Sequence, residues 1–422
     1  MTRHLLRLVW NRKRSNLLVA LEILLSFLVL TAVTTLAVFY ADNYRKPLGF
    51  DVEHIWTITI EMNEEGRSSV ITQSDGTEGP RVPDARTRAR RERLDRIGQL
   101  LLAIRDMPEV EAVAGAAITP YSGNTWNSDI EVNGRHYRYG ASAGTDDFAK
   151  VMGLTVTRGR WFTKEDDGAA WQPVVTNERL AREMFPDKDP VGQFVSEQAP
   201  GEAPASRMRI VGVIREFRKD GEFAAPENFL FSRARLDDPG DEVEPIREIV
   251  VRVRPGTTAA FEENAVTRMR AAAPDWTFQA EPLPKSRETA HMLWLAPLAA
   301  AGIVSVFLLA MVAMGLTGVL WLHVTQRTRE IGLRRAKGAT AVNVRRQLVG
   351  EVAVLTTVAT LAGAAIVAQL PVLDVFGAVS PGVYAASIAI SLVCIFVLTL
   401  ACAWMPARMA SSVEPAEALR YE

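Results

Sequence analysis

The sequence predicts a membrane protein of four transmembrane α-helices, with a large α+β extracytoplasmic domain between spans 1 and 2. Three observations lead there. Apolar runs at about 17–40, 293–322, 348–370 and 383–405 each reach the roughly 20 residues that cross a bilayer. The region 41–290 instead carries strand and helix periodicities with polar faces. Charge is also partitioned. Of the 48 Lys+Arg and 49 Asp+Glu, 34 and 42 fall in 41–290, leaving 14 and 7 for the rest. The net charge of −1 gives no reason to expect nucleic acid as a partner.

In residues 1–16, Arg3, Arg7, Arg12, Lys13 and Arg14 interleave with Leu5, Leu6, Leu8, Val9 and Trp10. This pattern suits a cytoplasmic amphipathic helix at the interface. The alternative, the basic start of a signal peptide, fits less well. The run at 17–40 exceeds an h-region of about 7–15 residues, and no small-residue cleavage site follows it. It reads as an uncleaved first span. Glu22 lies inside it, where a charge costs up to about 2.5–3.5 kcal/mol. It is either a buried polar contact with a neighbouring helix or subunit, or a side chain snorkelling toward cytoplasmic headgroups.

Beyond the first span, Trp56, Ile58, Ile60 and Met62 alternate with polar residues as on a half-buried strand. A Gly-, Ser- and Asp-rich loop at 64–84 precedes a helix with the stripe Leu94, Ile97, Leu101 and Ile104. Residues 110–118 return as a strand. The pattern recurs with Ile249, Val251 and Val253 on a strand, Phe261, Ala265 and Met269 on a helix, and a strand at 276–280. Two β-α-β halves, 41–120 and 237–290, therefore flank an insertion at 121–236. The insertion holds strands at 129–132 and 207–214, a helix at 177–185, and turns at Asn133-Gly134 and Pro200-Gly201. The arginines at 86, 88, 90, 91, 93 and 96 form the solvated face of the first helix, balanced by Glu92 and Asp95; attraction to anionic headgroups is the alternative.

Positive residues orient the spans. The segment after span 2, 323–347, carries Arg327, Arg329, Arg334, Arg335, Lys337, Arg345 and Arg346, whereas the 371–382 loop has none. Both termini, including the 406–422 tail, are then cytoplasmic, and 41–290 lies outside. Within 323–347, Glu330 and Arg334 are spaced to pair on a helix, Gly338 would end it, and Thr340 would cap the next. Ile331 and Leu333 are its apolar contacts. Taken alone, this segment could be an ordinary positive juxtamembrane loop. In the third span, Ala359 and Gly363 form a small-xxx-small pair that permits close helix packing.

Candidate catalytic groups are dispersed. The five histidines show no metal-ligand spacing, and Cys394 and Cys402 both fall in the last span. No G-x-x-x-x-G-K-[ST] loop is present, so ATP would have to be handled by another polypeptide.

The wording of particular stretches goes further. RTREIGLRRAKGAT (327–340) resembles the signature loop of the FtsX-like and MacB-like ABC transporter permeases. PARMASSVEPAEALRYE (406–422) resembles the same family's C-terminal signature. GLTVTRGRWFTKED (153–166), VVTNERLAREMFPDKDPVGQFV (174–195) and RIVGVIREF (209–217) resemble the MacB-like periplasmic domain, in family order. The resemblance is weakest over 41–120. It departs in the first span, where this chain has LEILLSF (21–27) in place of the family's glycines.

The resemblance implies a porter-like subdomain from 41–120 and 237–290, and a Sabre-like insertion at 121–236. It implies a coupling helix in which Arg327, Arg329, Glu330, Ile331, Gly332, Leu333, Arg335 and Gly338 meet a cytoplasmic ABC ATPase dimer. ATP and Mg would be bound by that partner, with no cofactor in this chain. A second permease protomer, identical or paralogous, is expected, since four spans are too few for a two-sided pathway. A periplasmic adaptor is a further expected partner, and the bacterial inner membrane the expected location. The implied function is mechanotransmission-type export. The alternatives are an FtsX-type signalling permease that controls extracytoplasmic cell-wall enzymes and, with less support, a membrane-anchored enzyme.

Overall fold

The computed structural model describes residues 13–62, 83–195, 207–237, 246–326, 333, 340–372 and 379–412. The chain divides into a membrane unit, 1–42 with 293–422, and an interspan unit, 43–292.

Four described helices are long and apolar enough to cross a membrane, over Leu17–Tyr44, Leu283–Gln326, Ala341–Pro371 and Pro381–Met409. The underlying elements are α1 (Lys13–Tyr44), α6 (Leu283–Gln326), α7 (Ala341–Val367) with the short α8 (Gln369–Val372), and α9 (Pro381–Ser412). Each outruns its apolar stretch. Helical hydrogen bonding depends on the backbone, so polar turns such as 285–291 continue the helix where hydropathy stops. α9 opens on a proline, whose missing N–H costs nothing in a first turn, and passes through Pro406. Val19, Ile23, Phe27 and Leu30 of α1 form one core with Val312 and Leu316 of α6, Ala359 of α7 and Ile395 of α9.

The interspan unit is built on one ten-stranded sheet. Its strands are β1 (Ile55–Met62), β2 (Val110–Ala116), β3 (Asn127–Val132), β4 (Arg135–Gly144), β5 (Val156–Gly159), β6 (Gln172–Asn177), β7 (Met208–Ile214), β8 (Phe229–Arg233), β9 (Glu248–Val253) and β10 (Trp276–Pro282). Its helices are α2 (Pro83–Arg105), α3 (Phe148–Met152), α4 (Glu178–Met184) and α5 (Ala260–Ala272). The order is β10-β1-β9-β2-β4-β8-β6-β7-β5, with β3 paired to β4.

The first four strands come from the flanking segments and interlock. β9 lies antiparallel between β1 and β2, so the two β-α-β halves form a split unit. Leu101, Ile97 and Ile104 of α2 and Phe261, Ala265 and Met269 of α5 cover one face, against Trp56, Ile58, Val251 and Phe278. The opposite face is also covered. Ile55, Ala112, Ala114 and Val250 pack with Phe148 and Met152 of α3. β9 is therefore buried on both sides, although its sequence suggests a half-exposed strand. The inserted strands join at a single described pair, Ala116↔Gly144. β3 and β4 close through Asn133 (φ 52) and Gly134 (φ 72), the two positive-φ positions of a tight hairpin. α4 starts at Asn177, whose side chain caps it by accepting from Leu180 N–H, and packs on β7 and β8.

Candidate functional site

Of the expected coupling residues, Arg327, Arg329, Glu330, Ile331, Gly332, Arg335 and Gly338 lie outside the described residues. Leu333 is helical and exposed. The flanks of the segment are ordered by caps and packing. Thr340 is extended (φ −74, ψ 153) and accepts from Asn343 N–H at 3.3 Å, which caps α7. Val324 near the end of α6, Val344 and Leu348 near the start of α7, and Ala407 of α9 form a separate apolar cluster.

Within the membrane unit, Gly363 leaves no room for a side chain. A Cβ there would stand 2.4 Å from Phe27 Cδ1 and 3.2 Å from Leu24 Cδ1. Ala359, one turn earlier, is buried in the same core. The Glu22 carboxyl lies in a second notch. Its Oε1 is 2.6 Å from where a Cβ on Gly315 of α6 would be. Glu22 is half-buried, with its carboxyl beside Gly315 of α6. The bulky LEILLSF stretch of α1 packs closely because the glycines stand on the facing helices. Thr34 Oγ1 and Ser391 Oγ, 2.8 Å apart, link α1 to α9.

A third arrangement escaped sequence reading. In the interspan unit, the loop 217–224 reaches both the end of α1 and the start of α6. Arg218 is fully buried. Its Nη1 donates to the carbonyls of Asn43 (2.9 Å) and Lys46 (3.0 Å), and its Nη2 to those of Glu222 (2.7 Å) and Ala224 (2.6 Å). Carbonyls at a helix C-terminus lack intrahelical donors and carry partial negative charge, so a guanidinium satisfies them. Four residues on, the buried Glu222 meets Arg287 Nε at 2.6 Å and His291 Nε2 at 2.9 Å, both on α6. An ionised carboxylate only accepts, so both nitrogens donate.

Tyr121 O–H also donates to Glu222, at 3.1 Å, from a left-handed backbone (φ 62) that a tyrosine rarely adopts. The neighbouring Gly221 (φ 85) is required by the same contact, since a Cβ would lie 2.5 Å from the Tyr121 ring. Phe223 fills the gap between Tyr44 and His291, with ring centroids 5.8 and 5.0 Å away. Burial pushes the Glu222 carboxyl up, but the His291 hydrogen bond and the Arg287 and His291 charges hold it below the usual range. Burial, then the Glu222 charge and hydrogen bond, push the Tyr121 phenol well above its usual range.

The cluster is made for holding. Among the described residues, no three His, Cys, Asp or Glu side chains converge as metal ligands. The sequence signal was FRKDGEF (217–223), a charged run around a glycine that reads as a solvated turn.

A profile of the MacB-like periplasmic core domain matches residues 23–268, and one of the FtsX-like permease C-terminal region matches 302–415. The chain belongs to the MacB/FtsX-like ABC transporter permease family. The permease is therefore a multi-pass membrane protein with a periplasmic-type α/β domain between its first and second spans. It is 26% identical to the macrolide export ATP-binding/permease protein MacB of Agrobacterium fabrum, over 97% of this chain and 59% of that protein. MacB of Escherichia coli K12 is 28% identical over 76% of the chain and 48% of its own length. The pyoverdine export ATP-binding/permease protein PvdT of Pseudomonas aeruginosa is 25% identical over 65% and 41%. The permease thus spans 41–59% of the length of these relatives. The periplasmic region of MacB from Actinobacillus actinomycetemcomitans overlaps 58% of this chain and 94% of that one, at TM-score 0.37 and 14% identity.

Proposed function

We propose that this permease is the membrane component of a mechanotransmission-type ABC exporter. ATP and Mg are bound by a cytoplasmic ATPase dimer, which docks on residues 327–340. Two permease protomers face each other in a bacterial inner membrane, with both termini cytoplasmic and the interspan domain outside. ATP-driven closure of the ATPases shifts the membrane helices and so the outer domains, which extrude the substrate with or without a periplasmic adaptor. The observation that carries this reading is α6. It leaves β10 without an intervening loop, at the fully buried Leu283, and runs as one helix to Gln326, next to the coupling segment. The export names of the relatives support the direction of transport.

The coupling segment supplies the test. A buried aliphatic side chain contributes about 1.5–3 kcal/mol, an exposed ion pair about 0–1. Ile331→Asp should abolish stimulated hydrolysis and weaken ATPase co-purification while the protein still inserts. Arg334→Ala should be mild, and Gly338→Pro severe. Unchanged co-purification and stimulation in Ile331→Asp would reduce the segment to the positive flank of a span. Recovery of a cell-wall hydrolase instead of an adaptor with the native complex would favour the signalling role.

A further inference from the structure

The loop 217–224 holds two helices by chemically different means. Arg218 grips main chain at the end of α1. Its guanidinium is sealed from water and shared among four carbonyls, so losing them would strand a buried charge. Glu222 grips α6 only through side chains, and these partners are wetter. Arg287 is 33% exposed and His291 25%. Water can replace the Glu222 contacts one at a time as the helix moves, whereas breaking the contacts to Asn43 and Lys46 leaves the sealed Arg218 guanidinium short of two of its four acceptors. The backbone on the Glu222 side is also under load, through the left-handed Tyr121 whose hydroxyl the carboxylate holds.

We infer that 217–224 is a one-sided latch. It keeps the end of α1 fixed to the interspan domain and lets the first turns of α6 disengage, with Glu222 as the positioning residue that sets how tightly α6 is tied to the domain. The latch stands on these contacts alone; its effect on transport rests on the exporter reading.

The test is amide exchange on the full chain in lipid nanodiscs. In Glu222→Gln, exchange over 285–291 should rise on the order of tenfold, as expected for loss of charge-assisted bonds, with 43–48 unchanged. Arg287→Gln should reproduce this effect if Glu222→Gln fails to fold, and Glu222→Asp should restore part of the protection. Unchanged exchange over 285–291, or an equal rise over 43–48, overturns the one-sided latch. In the complex with the co-purified ATPase, Glu222→Gln should keep ATP hydrolysis within about twofold while lowering substrate moved per ATP on the order of tenfold. If no ATPase co-purifies with the unaltered chain, the exporter reading fails, and the exchange result still decides the latch.

Discussion

Glu248 stands at the start of β9 with its carboxyl enclosed, accepting from Thr119 Oγ1 and, at 3.4 Å, from Asn124 Nδ2. Burial pushes this carboxyl above the usual glutamate range, and the two hydrogen bonds only partly oppose the shift. A carboxyl whose folded pKa is raised binds its proton more tightly in the fold than in the unfolded chain. Its ionisation therefore costs stability above the folded pKa, and the cost vanishes as pH falls to the unfolded value of about 4.3. Glu248→Gln keeps the shape without the charge. Its thermal midpoint should exceed that of the parent at pH 8, by about 2–4 °C per kcal/mol recovered, with the gain disappearing near pH 4. A midpoint equal to or below the parent's at pH 8 would contradict this account. Glu222 has the opposite sign, because α6 supplies it with donors that Glu248 lacks. Two buried glutamates of one domain thus respond oppositely to pH.

The approach of α7 to α1 depends on position 363. Inserting a large side chain into a packed contact costs about 1–3 kcal/mol, and Phe27 and Leu24 stand in its way. Gly363→Leu should lower the unfolding temperature of the detergent-solubilised permease. Gly302→Leu on α6, where nothing lies within 4 Å, should leave it unchanged and serves as the control. Equal effects at the two positions would mean that the α1–α7 contact is not what the substitution disturbs. The same scale explains Glu22. A carboxyl on α1 is accommodated because α6 presents Gly315, so the intramembrane charge and the notch form one feature of two helices.

For the molecule as a whole, the arrangement of cations about the spans predicts its sidedness. An impermeant thiol reagent should label Asp374→Cys from outside intact cells and should not reach Lys337→Cys. The reverse pattern would invert the orientation, and with it the proposed placement of the ATPase. In the proposed reading, a coupling segment on the cytoplasmic side and a large domain on the other require an element that spans the bilayer. α6, at 44 residues, is about 66 Å long at 1.5 Å per residue, well beyond the roughly 30 Å of hydrocarbon.

What the chain determined locally was legible in advance. The stripe Leu94, Ile97, Leu101 and Ile104, the triad Phe261, Ala265 and Met269, the cap at Thr340 and the four apolar runs all follow backbone periods of a few residues. Any helix or strand made of them must show one apolar side. The partners of those sides were decided only by tertiary structure. No local pattern places β9 between β1 and β2, or sets Phe27 against Gly363 and Glu22 against Gly315. Arg218 and the carbonyl of Asn43 are 175 residues apart in sequence. The run RKDGE within 217–223 has the composition of a solvated turn. Only the path of the chain, which brings the end of α1 and the start of α6 to the same loop, buries Arg218 among carbonyls and pairs Glu222 with Arg287 and His291.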